Sequence, residues 1–228
     1  VAIDIAWQTE MGPGSGSSPS LSPDGRQVYV SDEEGLFYAI DTATGAVNWT
    51  IQTASAAASV AVGADGTIYS LQQFAPAIVA LSPSGERLWE SDVSGLVTEK
   101  LSPHFLLGEP LGAGSGNPTI TNEGLLVPIA YGYNFTLGER RIPLYVESTM
   151  VLLDTSTGVA IRDVAQLPDD SSGVSVVLPD GTLLNSLGAV VTSSIQPIRR
   201  WFNWMMPGDY ELLPMSGGLQ IARPLTPE

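Results

Sequence analysis

The sequence has no cysteine, which excludes disulfides, thiolate chemistry and every cysteine-ligated metal or haem site. It has no run of about 18 apolar residues, so no segment is predicted to span a membrane. Positive charge is scarce: nine Lys and Arg, with Lys100 the only lysine, stand against 24 Asp and Glu, and the formal net charge is −15. From this overall charge we expect binding neither to nucleic acid nor to an anionic membrane surface.

Turn-forming residues are frequent instead. The 228 residues include 24 Gly and 17 Pro, while only 14% are charged, against about 25% in an average domain. This composition is typical of a chain rich in strands and turns, and we expect no helix of substantial length. The chain begins at Val1 without a signal-like segment, so we expect either a processed mature chain or a fragment.

Four short apolar segments end in the same turn signal, an acidic residue followed by glycine. Such a two-residue turn between apolar runs predicts a β-hairpin. The spacings between successive signals are 41, 58 and 57 residues, which indicates an internal repeat. The four signals are Asp24-Gly25, Asp65-Gly66, Glu123-Gly124 and Asp180-Gly181.

A second shared element follows the first three hairpins. It reads AIDTATGAVNW over 39–49, ALSPSGERLW over 80–89 and LLDTSTGVAIR over 152–162. Its last position gives a series of markers at intervals of 42, 40, 73 and 39 residues, and the long interval contains an insertion spread over 93–112 and 131–146. The markers are Trp7, Trp49, Trp89, Arg162 and Trp201.

One unit therefore contains four short strands in about 40 residues, which is the period of a β-propeller blade. We predict an all-β propeller of four-stranded blades, with four recognisable repeats and a split or partial fifth. The fifth would join residues 1–10, as an outermost strand, to the C-terminal segments ELLPM and GLQIARP. Residues 1–228 would form one domain, either a complete five-bladed ring or part of a larger ring.

The segment from Ala39 to Trp49 resembles the tryptophan-docking motif of PQQ-like β-propellers, and the resemblance extends over about 17–165. This family includes quinoprotein dehydrogenases and outer-membrane-assembly lipoprotein propellers. The resemblance implies that Trp49 and Trp89 lie between adjacent blades, each against the Ala and Gly of a neighbouring motif. The implied docking residues are Ala39, Asp41, Thr44, Gly45, Trp49, Ala80, Gly85, Trp89, Asp154, Thr157 and Gly158.

The resemblance does not by itself imply a cofactor. Quinoprotein dehydrogenases, as the resemblance implies, are far longer and use a vicinal disulfide and a bound calcium, whereas this chain has no cysteine. We therefore expect no cofactor and no catalysis. The alternative is a piece of a propeller enzyme, quinoprotein dehydrogenase-like or glycoside hydrolase-like, with a site in the central channel.

Few residues suggest chemistry. His104 is the only histidine, and no partner for acid–base or metal chemistry can be assigned to it, so we interpret it as a loop residue. Clustered carboxylates could hold calcium through their oxygens, but the sequence has neither EF-hand spacing nor a repeated Asp/Gly loop, so solvated turn charge is the favoured interpretation. The calcium candidates are Asp32, Glu33, Glu34, Asp169 and Asp170.

The segment from Arg199 to Met206 combines Trp, Phe, Met and Arg, the composition of interface hot spots. Two interpretations are open: Trp201 is the blade marker and its neighbours pack between blades, or the segment contacts a partner through Trp201, Phe202, Trp204, Met205 and Met206. Two glycosylation sequons begin at Asn48 and Asn134 and fit a secreted protein. The functional hypothesis is an extracytoplasmic binding or scaffold module with a protein partner or self-association.

Overall fold

The computed structural model describes residues 4–53, 59–72, 77–92, 100–114, 116–167, 175–187, 196–206 and 218–223. The chain divides into two compact units, Val1–Glu90 and Ser91–Glu228. Among the residues just given, no helix is both long and apolar enough to cross a membrane.

The first unit contains two antiparallel sheets, each of four strands in sequential order. Sheet 1 consists of β1 (Ser20–Leu21), β2 (Gln27–Ser31), β3 (Leu36–Asp41) and β4 (Val47–Gln52). Sheet 2 consists of β5 (Ala61–Val62), β6 (Ile68–Gln72), β7 (Ala77–Leu81) and β8 (Arg87–Asp92).

Burial in these sheets falls from the middle strands to the last strand. Every residue of β6 and β7 is buried, whereas β4 and β8 alternate between exposed and partly buried positions. A continuous apolar strand suits a sheet covered on both faces, and an alternating strand suits one covered on a single face. The core of this unit draws on both sheets and contains Tyr29, Phe37, Ala39, Ile68, Val79 and Leu81.

In the described part of the second unit there are sheet 3, sheet 4 and a helix. Sheet 3 has the order β10-β11-β12-β13, and β9 also pairs with β11. Its strands are β9 (Pro110–Gly114), β10 (Thr119–Ile120), β11 (Leu125–Leu137), β12 (Arg140–Leu153) and β13 (Ala160–Leu167). Sheet 4 has β14 (Val176–Val177), β15 (Leu183–Leu187) and β16 (Gly218–Ala222), and helix α1 spans Gln196–Met205.

All four predicted hairpins are confirmed. Each acidic-Gly signal lies between two consecutive strands of one sheet, and those strands pair antiparallel. Each of the first two repeats, of about 40 residues, forms one four-stranded sheet, as predicted.

The prediction that no substantial helix exists is wrong, because Gln196–Met205 is helical. Trp201 lies inside this helix, so its assignment as the marker of a last strand is also wrong. Residues 196–206 follow the apolar period of a helix, since Phe202 and Met206 are buried four residues apart. Their aromatic and Met content obscured that period when they were interpreted as strand residues.

The Gly, Ser and Pro content of residues 93–112 predicts a segment outside the blade sheets, but the end of that segment is part of sheet 3. Residues 131–146 lengthen β11 and β12 into one long hairpin, with Tyr133 opposite Leu144 and Leu137 opposite Arg140. Residues 110–114 form β9, which pairs with the lengthened part of β11. Residues 93–99 lie outside the described part of the chain.

The segments predicted to form a fifth unit are only partly found in strands. Gly218–Ala222 pairs with β15 and completes the described part of sheet 4. Residues 4–10 are not in a strand. The described residues form four sheets. The segment ELLPM, residues 211–215, lies outside the described part of the chain.

Candidate functional site

Two tryptophans contact the motif of the next repeat unit. The Trp7 indole N–H donates to the Thr42 carbonyl oxygen at 2.8 Å, and the Trp49 indole N–H donates to the Pro83 carbonyl oxygen at 3.0 Å. The Trp7 ring lies on Gly45, and the Trp49 ring lies on Gly85. The same contact thus recurs one unit further along the chain.

Glycine is required at these contacts for two reasons. A Cβ atom on Gly45 would lie 2.8 Å from the Trp7 ring, and one on Gly85 would lie 2.9 Å from the Trp49 ring. Both distances are shorter than carbon atoms tolerate. Both glycines also have positive φ angles, +74° and +86°, which L-residues rarely adopt.

The tryptophan rings also pack within their own sheets. Trp49 is partly buried, with its ring centroid 6.0 Å from that of Tyr29 and 5.8 Å from that of Phe37. Trp89 is also partly buried, and its centroid lies 5.8 Å from that of Tyr69. Neither ring is largely exposed to solvent.

The motif carboxylates shape turns. Asp41 Oδ1 accepts hydrogen bonds from the Thr44 N–H at 2.8 Å and from the Thr44 hydroxyl at 2.8 Å. Asp154 Oδ1 does the same with Thr157, whose N–H and hydroxyl both lie 2.9 Å away. In the shorter second copy, Ser82 Oγ accepts from the Glu86 N–H at 3.1 Å. These side chains are therefore engaged in the backbone of their own turns.

These hydrogen bonds lower the pKa of both carboxyl groups. The Thr44 hydroxyl, then its N–H, lowers the pKa of the Asp41 carboxyl below its ordinary 3.8, and the Ser156 and Thr157 hydroxyls lower the pKa of Asp154. A lowered folded-state pKa stabilises the fold above the unfolded pKa of about 3.9, and this stabilisation is lost as pH falls through the folded value.

We therefore expect the free energy of unfolding to fall as pH decreases below about 4. The double variant Asp41→Asn/Asp154→Asn should show a smaller difference between pH 6 and pH 3, measured by urea unfolding. Asp4→Asn is the control, because Asp4 is exposed and lies outside every described strand and helix. An unchanged pH dependence in the double variant would contradict the assignment.

The first three calcium candidates differ in their exposure to solvent. Asp32 is buried, and its carboxylate accepts the Tyr38 hydroxyl at 2.8 Å and the Leu36 N–H at 2.9 Å. Burial raises the pKa of Asp32, but these hydrogen bonds outweigh it and leave that pKa lowered. Glu33 and Glu34 are exposed. Among the described residues no three His, Asp or Glu side chains are grouped to hold a metal ion. Asp169 and Asp170 lie outside the described residues.

A polar cleft of about 340 Å³ in the second unit was not predicted from the sequence. Lys100 forms an ion pair with Asp163, and its Nζ lies 5.1 Å from the centroid of the Tyr131 ring. The Tyr131 hydroxyl donates to the Glu147 carboxylate. β-Bulges occur at this place, between Tyr131 and Gly132 on β11 and between Met150 and Val151 on β12. The charges of Lys100 and Asp163 neutralise each other and the Glu147 carboxylate accepts the Tyr131 hydroxyl, so we interpret the cleft as a structural network.

Helix α1 packs on the lengthened β11–β12 hairpin and on residues 100–109. Together these segments, 100–109, 131–146 and 196–206, are called the aromatic platform below. Phe202 is only 2% exposed, and its ring centroid lies 5.0 Å from that of Phe135. The buried core of the platform consists of Leu101, Leu107, Tyr131, Tyr133, Leu144, Val146, Phe202 and Met206.

This packing corrects the predicted contact segment. Phe202 and Met206 are buried in the chain's own core, and Met205 packs against it, so they are not available to a partner. Trp201 and Trp204 are 50% and 80% exposed. The accessible part of the segment is therefore the outer face of α1.

The remaining candidates are separate from one another. His104 lies in a tight turn, closed by the Gly108 N–H donating to its carbonyl oxygen at 2.8 Å, and its ring contacts Phe105 and Tyr133. Asn48 is exposed on β4. Asn134 is partly buried in β11, where its N–H donates to the Glu109 carbonyl oxygen.

Successive antiparallel sheets of this kind define an all-β protein of the β-propeller class. The family model described as outer membrane protein assembly factor BamB matches residues 4–166, and the chain belongs to this family. The BamB of Nitrosomonas eutropha (strain DSM 101675 / C91 / Nm57) is 32% identical over 101 residues, covering 44% of this chain and 24% of that relative. The match thus spans about a quarter of the relative's length.

Solved structures show the same fold. The quinohemoprotein alcohol dehydrogenase of Comamonas testosteroni superposes with a TM-score of 0.53 at 15% identity, over 77% of this chain and 29% of the enzyme. The enzyme ADHIIG from Pseudomonas putida HK5 gives 0.52 at 15%, over 80% and 29%. The computationally designed Ika4 protein gives 0.53 at 9%, over 98% and 99%. At these identities the likeness concerns the fold alone.

Proposed function

We propose that the chain is a non-catalytic, extracytoplasmic β-propeller module that binds protein partners in outer-membrane protein assembly. The observation that carries this proposal is the family match over residues 4–166. A β-propeller can host many unrelated functions, so the proposal rests on the family and not on the fold. The likeness to alcohol dehydrogenases supports no enzymatic proposal.

The contacts of the motif residues support a structural role for the motif. Trp7 and Trp49 are hydrogen-bonded and packed against the next unit, and Asp41 and Asp154 are engaged in turns. We propose that these tryptophans join successive blades of one propeller domain over 1–228. A single cooperative unfolding transition, the same by circular dichroism and by tryptophan fluorescence, is the expected result. Two separated transitions would contradict one domain.

The assembly role is tested by complementation. The chain is exported to the periplasm of a bacterium that lacks its own assembly factor of this family, and the amounts of outer-membrane proteins are measured. Restored amounts are expected with the native chain. Trp49→Ala, which removes the contact with Gly85, is expected to fail. Correctly exported, folded chain without any restoration would contradict the proposal.

Cofactor binding gives a second test. We expect no stoichiometric quinone absorbance and no calcium-dependent heat when PQQ and Ca²⁺ are added to the purified chain. The reason is that the chain has no cysteine pair and that Asp32 is engaged in its own turn. Saturable binding of PQQ with one quinone per chain would contradict this prediction and favour the enzymatic alternative.

A further inference from the structure

Charge is distributed unevenly in this acidic chain. The aromatic platform contains five of the nine basic residues and two of the 24 acidic residues, which gives it a net charge of +3. The rest of the chain therefore carries −18, since the total is −15. The five basic residues are Lys100, Arg140, Arg141, Arg199 and Arg200.

Three of these arginines are free to meet a ligand. Arg140, Arg141 and Arg200 are exposed, and they form no ion pair with any residue that the structure describes. Arg140 and Arg141 lie at the tip of the β11–β12 hairpin, opposite Leu137 and Thr136. Arg200 lies on α1 four residues before Trp204, so both side chains are on one face of the helix.

Large apolar side chains project from the same three segments. Phe105, in the tight turn after His104, is 88% exposed, and Leu137, at the hairpin tip, is 62% exposed. Trp204 projects from the outer face of α1. The turn and the helix both pack on the same face of the hairpin, through Leu107 and Phe202. Phe105 and Trp204 therefore belong to segments that share one buried core, and Leu137 ends one of the strands that form it.

We propose that the aromatic platform docks on an anionic phospholipid surface. The exposed side chains of Phe105, Leu137 and Trp204 can enter the headgroup region, where aromatic side chains are favoured. Unpaired arginines beside them can bind lipid phosphates. The total charge of −15 does not prevent this, because charges beyond about 8 Å are screened at physiological ionic strength. The expectation from overall charge overlooked this segregation.

The test measures binding of the full chain to vesicles by sedimentation. Vesicles of phosphatidylcholine with about 30 mol% phosphatidylglycerol are compared with vesicles of phosphatidylcholine alone. We expect binding to the anionic vesicles only, falling when salt is raised from about 0.05 M to about 0.5 M. Brominated lipids should quench tryptophan fluorescence in the native chain, and less so in Trp204→Phe.

Two charge variants separate local from overall charge. Arg140→Gln/Arg141→Gln and Arg26→Gln/Arg87→Gln each remove two positive charges, so both have a net charge of −17. We expect the platform variant to bind about tenfold more weakly and the control to bind like the native chain. Trp204→Ala should lose a similar factor. Ile5→Ala, which removes an exposed apolar side chain elsewhere, should lose nothing.

Each opposite result overturns the proposal. These results are no binding to anionic vesicles, equal binding to neutral vesicles, or equal losses in the two charge variants. Light scattering on the same samples tests whether the platform binds a second copy of the chain. Dimers in the native chain that are absent in Trp204→Ala would show self-association and overturn lipid docking. Cross-linking from position 204 to one protein in a native envelope, together with no vesicle binding, would show that the platform binds a protein partner and not lipid.

Discussion

Replacing Trp49 with alanine is expected to lower the free energy of unfolding by about 3–5 kcal/mol. The ring packs against Tyr29, Phe37 and Gly85, and its N–H donates to Pro83. Alanine would remove these contacts, leave a cavity beside Phe37 and leave the Pro83 carbonyl without its indole donor. Urea unfolding followed by circular dichroism measures the change.

Trp204→Ala is the matched control for this prediction, because it deletes the same side chain at a position that is 80% exposed. Its free energy of unfolding should stay within about 0.5 kcal/mol of the native value. If the two variants were equally stable, the contact of Trp49 with the next unit would not hold the fold together. If Trp204→Ala were the less stable, the helix would have a structural role that its exposure does not indicate.

Local patterns predicted the fold where residues close in sequence determine it. Each acidic-Gly signal defines a hairpin because both strands adjoin the turn, as Ser20 opposite Tyr29 illustrates. The motif from Ala39 to Trp49 predicted the turn at Asp41 for the same reason. Such features need only the residues of one turn and its two flanking strands.

Helix α1 was not predicted because its stability depends on distant residues. The apolar side of α1 is short, and Phe202 is buried only because the β11–β12 hairpin extends far enough to place Phe135 against it. Residues 131–146 interrupt the repeat in the sequence, yet their Tyr and Leu positions alternate along two paired strands. Tertiary packing therefore decided both elements.

The Lys100 cleft shows the same limit for sites. Lys100, Tyr131 and Asp163 are far apart in the sequence, and only the pairing of β11, β12 and β13 brings them together. Composition identified Lys100 as the only lysine but gave no partner for it. The platform arginines were likewise hidden in a total charge, because a sum over the chain contains no information about position.

Replacing Gly85 with alanine is expected to destabilise the chain more than replacing Gly25 with alanine. Both glycines have left-handed φ angles, +86° and +69°, so both variants suffer backbone strain of about 1–2 kcal/mol. A Cβ on Gly25 would meet no atom within 4 Å, whereas one on Gly85 would lie 2.9 Å from the Trp49 ring. We expect the steric conflict to add about 1–3 kcal/mol at Gly85 alone.

A double-mutant cycle isolates this conflict. In a Trp49→Ala background the ring is absent, so Gly85→Ala should cost only the backbone strain, close to the cost of Gly25→Ala. The coupling energy between positions 49 and 85 should therefore be about 1–3 kcal/mol, measured by urea unfolding of the four chains. Additive effects at 49 and 85 would mean that the indole does not rest on Gly85 in solution. A coupling of this size would place the Trp49 ring on Gly85 and establish it as a link between successive repeat units.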